Sequence, residues 1–389
     1  MRIKFASLGL CIMMLLAACS SGSDYSSSPI SFTDSFPEAS NASPSAETTY
    51  FSPTEEQTIF PGMEVLEFDY RMVISPVIYG NMLYMAVSEE RKPREDYDAR
   101  LLISYDIDTK ETQYLYESVY ESANLQQISC DGKWLVWTDQ EAWGAACDIC
   151  VMNLETREIK KVDSFKPEAA SFLIPKLQKE RVYWIKEEGY NESENRIYGS
   201  VYEYDCLAEK TKKLYSLDYI EFYNLAVGVG SGKVIWSETI EDVGTLFIYD
   251  ISSGNTDKYE TGFKYACSPL YSNGFAKFQG QNDFSQRYEF PNRNYWYDTK
   301  TGKTSEIAAL DDYMFAMSDN YVAASCGTII YYYKKNGAEL TLLEPYTAVR
   351  GDCKFSENDI FINAVEQDKK FVIYINKLKD FPIQGAENG

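Results

Sequence analysis

Residues 231–254 read SGKVIWSETIEDVGTLFIYDISSG, and the fold of the chain turns on how this stretch is parsed. Ser231-Gly232 is a turn, Val234–Trp236 an apolar strand, 238–244 an acidic loop, Thr245–Tyr249 a second strand, and Ser252–Gly254 another turn. Short β-branched and aromatic runs bounded by Gly, Ser, Asn and Asp are what a hairpin requires.

The phrase recurs. Tyr249-Asp250 of TLFIYDISSG has counterparts at Tyr105-Asp106, Met152-Asn153, Tyr204-Asp205 and Tyr297-Asp298, and Tyr332 and Tyr374 align in two further units. From Tyr105 to Tyr374 is 269 residues over six intervals, about 45 each, the period of a four-stranded propeller blade. An earlier hairpin precedes each one, as in ISCDGKWLVW (128–137), LQKERVYW (177–184) and VGSGKVIW (229–236). Each unit therefore reads as inner, second, third and outer strands, with no helix-period segment between them. The fold class is all-β: a propeller of seven blades, each of four antiparallel strands, with six blades as the competing count. The seventh unit has little after Lys379 to make an outer strand, while the apolar segment Met63–Phe68 is unclaimed. Pairing it onto Phe371–Asn376 closes the ring and leaves no open sheet edge.

Ahead of the repeats the chain changes character. Met1–Lys4 is basic, Phe5–Leu16 is apolar but too short to span a bilayer, and Leu16-Ala17-Ala18-Cys19 follows, a pattern that fits a secretory signal. L-A-A-C followed by serines resembles the bacterial lipobox, which implies a lipidated Cys19 and an extracytoplasmic, membrane-anchored protein. Eleven serines fall between residues 20 and 49, and no Lys or Arg occurs from Phe5 to Tyr70. Such a composition cannot bury enough apolar surface to order itself. The expected organisation is a signal peptide over 1–18, a flexible tether over 19–58, the propeller over 59–380 and a tail over 381–389.

Composition excludes several functions. The 389 residues hold 32 Tyr and no His, and the net charge is −22. Without histidine there is no Ser–His–Asp or Cys–His nucleophile and no imidazole metal ligand. A surface this acidic repels nucleic acid, so none is expected as a partner. Cys147-x-x-Cys150 has redox or zinc spacing but sits in a strand, where residues i and i+3 face opposite ways. Buried structural thiols are expected there, with no metal and no cofactor.

The phrase Ser129-Cys130-Asp131-Gly132-Lys133, and Tyr297-Asp298 followed by Thr301-Gly302-Lys303, resemble the repeats of TolB-like propellers. That resemblance implies the fold and not an activity, since such propellers serve as binding proteins, scaffolds and enzymes. Cys130 stands where the repeat usually has proline. No sialidase box matches, because Asp131 and Gly132 are adjacent, and no tryptophan docking motif follows Thr301-Gly302-Lys303.

Candidate ligand residues come from the connections between second and third strands: 88–99, 139–146, 187–199 and 279–293. Trp143, Tyr190, Arg196, Arg287 and Tyr288 bring aromatic plates and guanidinium groups to one rim, as recognition of a protein, peptide or glycan requires. One aromatic per repeat near the outer-to-inner junction, such as Tyr120, Phe165 and Tyr219, is expected to pack between blades. The reading is a non-catalytic binding or scaffold module. The alternative is a carbohydrate-active enzyme, a glycosidase or lyase, with paired carboxylates at the rim.

Overall fold

The computed structural model describes residues 63–88, 98–141, 146–166, 173–191, 196–220, 226–282, 293–307, 314–326, 329–343, 346–347, 352–367 and 370–381. Cys19, the signal and the tether fall outside the described residues. Seven antiparallel sheets follow one another along the chain, over 73–117, 123–165, 176–217, 228–260, 265–306, 314–347 and 352–377. Each has four strands, and blade six carries a short fifth, Tyr346–Thr347. Among the described residues there is no α-helix.

Blade seven takes its outer strand from the other end of the chain. Met63–Phe68 pairs antiparallel with Lys370–Lys377, Met63 opposite Asn376 and Phe68 opposite Phe371, as the sequence predicts. Leu66 and Phe68 point inward and are buried, whereas Val65 is 38% exposed. Phe68 meets the Tyr105 ring edge-on at 5.0 Å and so packs blade seven against blade one. Most of the remaining apolar clusters also lie between neighbouring blades, with Trp137, Trp184 and Trp236 as fully buried anchors on successive second strands.

The recurring Tyr-Asp phrase has a local cause. Asp250 Oδ1 accepts the backbone N–H groups of Ser252 and Ser253, both at 2.8 Å, and so shapes the turn into the outer strand. Asp106, Asn153, Asp205 and Asp298 do the same in their own blades. A short polar side chain bonding two and three residues ahead is the standard reason for Asp or Asn at this position.

Two hairpins run further than their sequences suggest. In blade four the strands Lys233–Ile240 and Val243–Asp250 leave only Glu241 and Asp242 as the turn, at φ 49° and 65°. That is a two-residue turn whose twist matches its strands. In blade three Arg181–Asn191 pairs with Arg196–Asp205, and a bulge at Glu187/Gly189 absorbs one residue. The polar run Glu187-Glu188 is tolerated because Glu188 accepts bonds from Ser200, Tyr202 and Lys213.

The thiols behave as expected. Cys147 packs into the cluster between blades two and three, and Cys150 into the one between blades one and two. All six cysteines with described side chains are free. Burial pushes the Cys147 thiol up to about 12 and moves Cys150 in the same direction.

Candidate functional site

Two regions concentrate chemistry: the loop-bearing rim and the central channel. At the rim, blade three has the longest hairpin strands among the described residues, Arg181–Asn191 and Arg196–Asp205. Tyr190 and Tyr198 are each 42% exposed on it. Tyr190 lies opposite Ile197, and Asn191 opposite Arg196, so Tyr190 and Arg196 belong to opposite faces of the pleat. Arg196 stacks over the Tyr219 ring at 5.3 Å. The Tyr198 ring rests on the backbone of Gly189, where an added Cβ would come within 2.4 Å of its hydroxyl. Glycine there lets the aromatic lie flat. Trp143, Arg287 and Tyr288 fall outside the described residues. Of the other junction aromatics, Phe165 is buried between blades two and three, and Tyr120 donates to Asp148.

A carboxylate pair does occur near this rim. Asp139 and Asp148 stand directly opposite each other on the second and third strands of blade two. Both are buried, at 0% and 3% exposure. Asp139 accepts from Tyr116 Oη at 2.7 Å, Ser118 Oγ at 2.5 Å and the Val119 N–H at 3.1 Å. Asp148 accepts from Tyr120 Oη, Ser164 Oγ and Lys161 Nζ at 3.2, 2.7 and 2.7 Å. Burial first, and then these carboxylates, raise the pKa of Tyr116 and Tyr120. The arrangement repeats two blades on, where Glu238 accepts from Tyr215 Oη at 3.1 Å and the Asp218 N–H at 2.9 Å. An acid at the end of one blade's second strand thus fastens the preceding blade's outer strand. The repetition and the bonds to the preceding outer strands mark these acids as staples between blades.

The channel is lined by the seven inner strands, and among them only Lys176, Asp352 and Lys354 carry charge. Sequence reasoning passed over all three. Their signal was present: a lysine in KLQ and in DCKF, on strands whose counterparts carry no charge. Three inner strands also bulge at residues in the left-handed region, Ser75, Gln127 and Ser268, at φ 51°, 53° and 48°. The Ser75 N–H donates to Asp352 Oδ2 at 2.6 Å, and Lys354 Nζ donates to the carbonyls of Ser75 and Ile128 at 2.9 and 3.0 Å. The Gln127 N–H reaches Ser75 Oγ at 3.2 Å. Burial pulls Lys354 down to about 8, with Asp352 opposing and Lys176 assisting, and it lowers Lys176 as well. Both lysines are half-buried.

At the opposite mouth the polar turns bond to one another around the ring. Ser231 donates to Asp319, Asn273 Nδ2 to the Asp319 carbonyl, Asn320 Nδ2 to Asp359, and Lys133 to Glu180. Among the described residues no group of three or more Cys, Asp or Glu side chains is placed to hold a metal ion.

Solved structures share this architecture. An oligogalacturonate lyase from Vibrio parahaemolyticus matches at TM-score 0.53 and 10% identity, over 80% of this chain and 96% of that one. The β-propeller domain of the Trilobed protease from Pyrococcus furiosus matches at 0.51 and 14%, over 79% and 94%. TolB from Acinetobacter baumannii matches at 0.38 and 11%, and this chain spans 60% of its length. At such identities the likeness of the first two is one of fold, and it agrees with the propeller. No family model and no curated protein matches the sequence.

Proposed function

We propose that this propeller is a non-catalytic binding or scaffold module, anchored outside the cytoplasm by a lipid on Cys19. Its partner is a protein, peptide or glycan held at the loop-bearing rim. The observation that carries this reading is the blade-three hairpin, which holds Tyr190, Tyr198 and Arg196 out in solvent. Tyr198 and Arg196 share one face of its pleat and Tyr190 lies on the other, and a rigid aromatic plate beside a guanidinium offers contact area at low entropic cost. The enzyme alternative draws on the likeness to oligogalacturonate lyase, but both carboxylates of the Asp139–Asp148 pair are buried and each already accepts three hydrogen bonds from neighbouring side chains or backbone.

Glycan and peptide arrays probed with the full chain test the rim. Binding that Tyr198→Ala and Arg196→Ala each weaken by about 1–3 kcal/mol, with an unchanged melting temperature, supports the reading. Binding that neither change affects removes the rim as the site. Turnover of a polysaccharide that Asp139→Asn abolishes would instead establish the enzyme. Mass spectrometry of the mature N-terminus decides the anchor: an unacylated chain overturns it.

A further inference from the structure

We propose that the central channel holds a binding site for one carboxylate group, formed by Lys176 of blade three facing Lys354 and Asp352 of blade seven. The site lies apart from the rim, so either proposal can fail without the other.

Three observations carry it. First, the two inner-strand charges on blade seven are engaged with backbone, whereas the Lys176 ammonium makes no hydrogen bond and no ion pair among the described residues. Half-buried in the channel wall, that ammonium keeps its three donors for solvent or a ligand. Second, Lys354 spends two donors on the carbonyls of Ser75 and Ile128, which leaves its third for a ligand. Lys354 Nζ crosses from blade seven to the Ile128 carbonyl of blade two, whose inner strand packs beside that of blade three, Lys176–Gln178, and Asp352 acts on both lysines. Third, Ser268 is exposed although it sits within an inner strand. Solvent, and hence a small ligand group, reaches the wall at that depth.

Charge selects the ligand class. Two ammonium groups and one carboxylate leave a single positive charge in the lumen, suited to a monoanion and not to a phosphate dianion. The two oxygens of a carboxylate can accept from Lys176 and Lys354 together, and such charge-assisted bonds are the strong ones. Low-dielectric channel walls keep this local field effective in a chain of net charge −22. The carboxylate belongs either to a free small acid or to a peptide C-terminus.

The test measures melting temperature of the full chain against sodium acetate, with ionic strength held constant by chloride. A ligand that binds only the folded state raises stability in proportion to occupancy. The expected result is a saturable acetate-dependent rise, which Lys176→Met weakens by at least about tenfold in apparent affinity. Lys176→Arg should retain it. Triglycine with a free carboxylate, compared with its C-terminal amide, separates the sources: a rise with acetate alone means a free acid, and a tighter effect of free triglycine means a peptide end. The proposal is overturned if acetate produces no saturable rise, if Lys176→Met responds like the unmodified chain, or if inorganic phosphate acts at lower concentration than acetate.

Discussion

The backbone N–H of Ser75 donates to Asp352 Oδ2 over 2.6 Å, joining inner strands 277 residues apart. With Lys354 reaching Ser75 and Ile128 from the same strand, it forms an inner latch across blades seven, one and two. The latch also holds Ser75 in a left-handed conformation that costs a non-glycine residue about 1–2 kcal/mol.

Asp352→Ala should therefore destabilise the protein by about 1–3 kcal/mol, the cost of leaving a buried N–H unpaired. Denaturant unfolding measures it. A change below about 0.5 kcal/mol means that water replaces the carboxylate and the latch is dispensable.

Closure on the outside is a second determinant. Removing residues 20–57 should leave stability nearly unchanged, while continuing the deletion through Phe68 should cost about 3–6 kcal/mol. That figure is the burial of Leu66 and Phe68. Val65, exposed at 38%, adds little. Equal melting temperatures for the two truncations would show that the ring holds without its first strand.

Lys277, on the second strand of blade five, is 2% exposed, and burial pulls its pKa down to about 7 from 10.5. Because the folded value lies below the unfolded one, the unfolded chain binds the extra proton between those pH values. Stability contributed by this group therefore rises with pH from about 7 to 10.5, and the penalty is complete below 7. Lys277→Met should raise the melting temperature at pH 6, by on the order of 1–3 kcal/mol in stability. The gain should shrink toward pH 10. A gain that does not vary with pH would show that packing, not charge, is responsible.

Lys110 occupies a left-handed position (φ 64°) in the turn before an outer strand, where blades four and five have Gly254 and Gly302. Its exposed pairing with Glu64 at 3.7 Å is worth little. Lys110→Gly should stabilise by roughly 0.5–1 kcal/mol, as relief of the left-handed cost exceeds the added chain entropy. A calorimetric scan showing a lower melting temperature would contradict that balance.

What the sequence made legible was local. The Tyr-Asp phrase repeats because each Asp or Asn closes its own turn, and Met63–Phe68 betrays its partner by being apolar and unassigned. The latch was not legible, since nothing near Ser75 announces Asp352. The bulges rest on Ser75, Gln127 and Ser268, not on glycine, and only Pro76 and Pro269 hint at two of them. Blade three's hairpin was underestimated because Glu187-Glu188 looks like loop until the cross-strand donors to Glu188 are known. Of the five rim residues, Tyr190 and Arg196 sit on that hairpin, while Trp143, Arg287 and Tyr288 lie outside the described residues.

The strand that shuts the ring is also the first to be made. Glu67 and Lys370, which pair at 3.0 Å, are separated by 303 residues. At 5–20 residues per second, synthesis leaves Met63–Phe68 waiting roughly 15–60 s for its neighbour. A bare hydrophobic strand left waiting so long would recruit other chains. Glu64 and Glu67, set among Val65, Leu66 and Phe68, give the waiting strand a negative charge that discourages pairing with a second copy of itself.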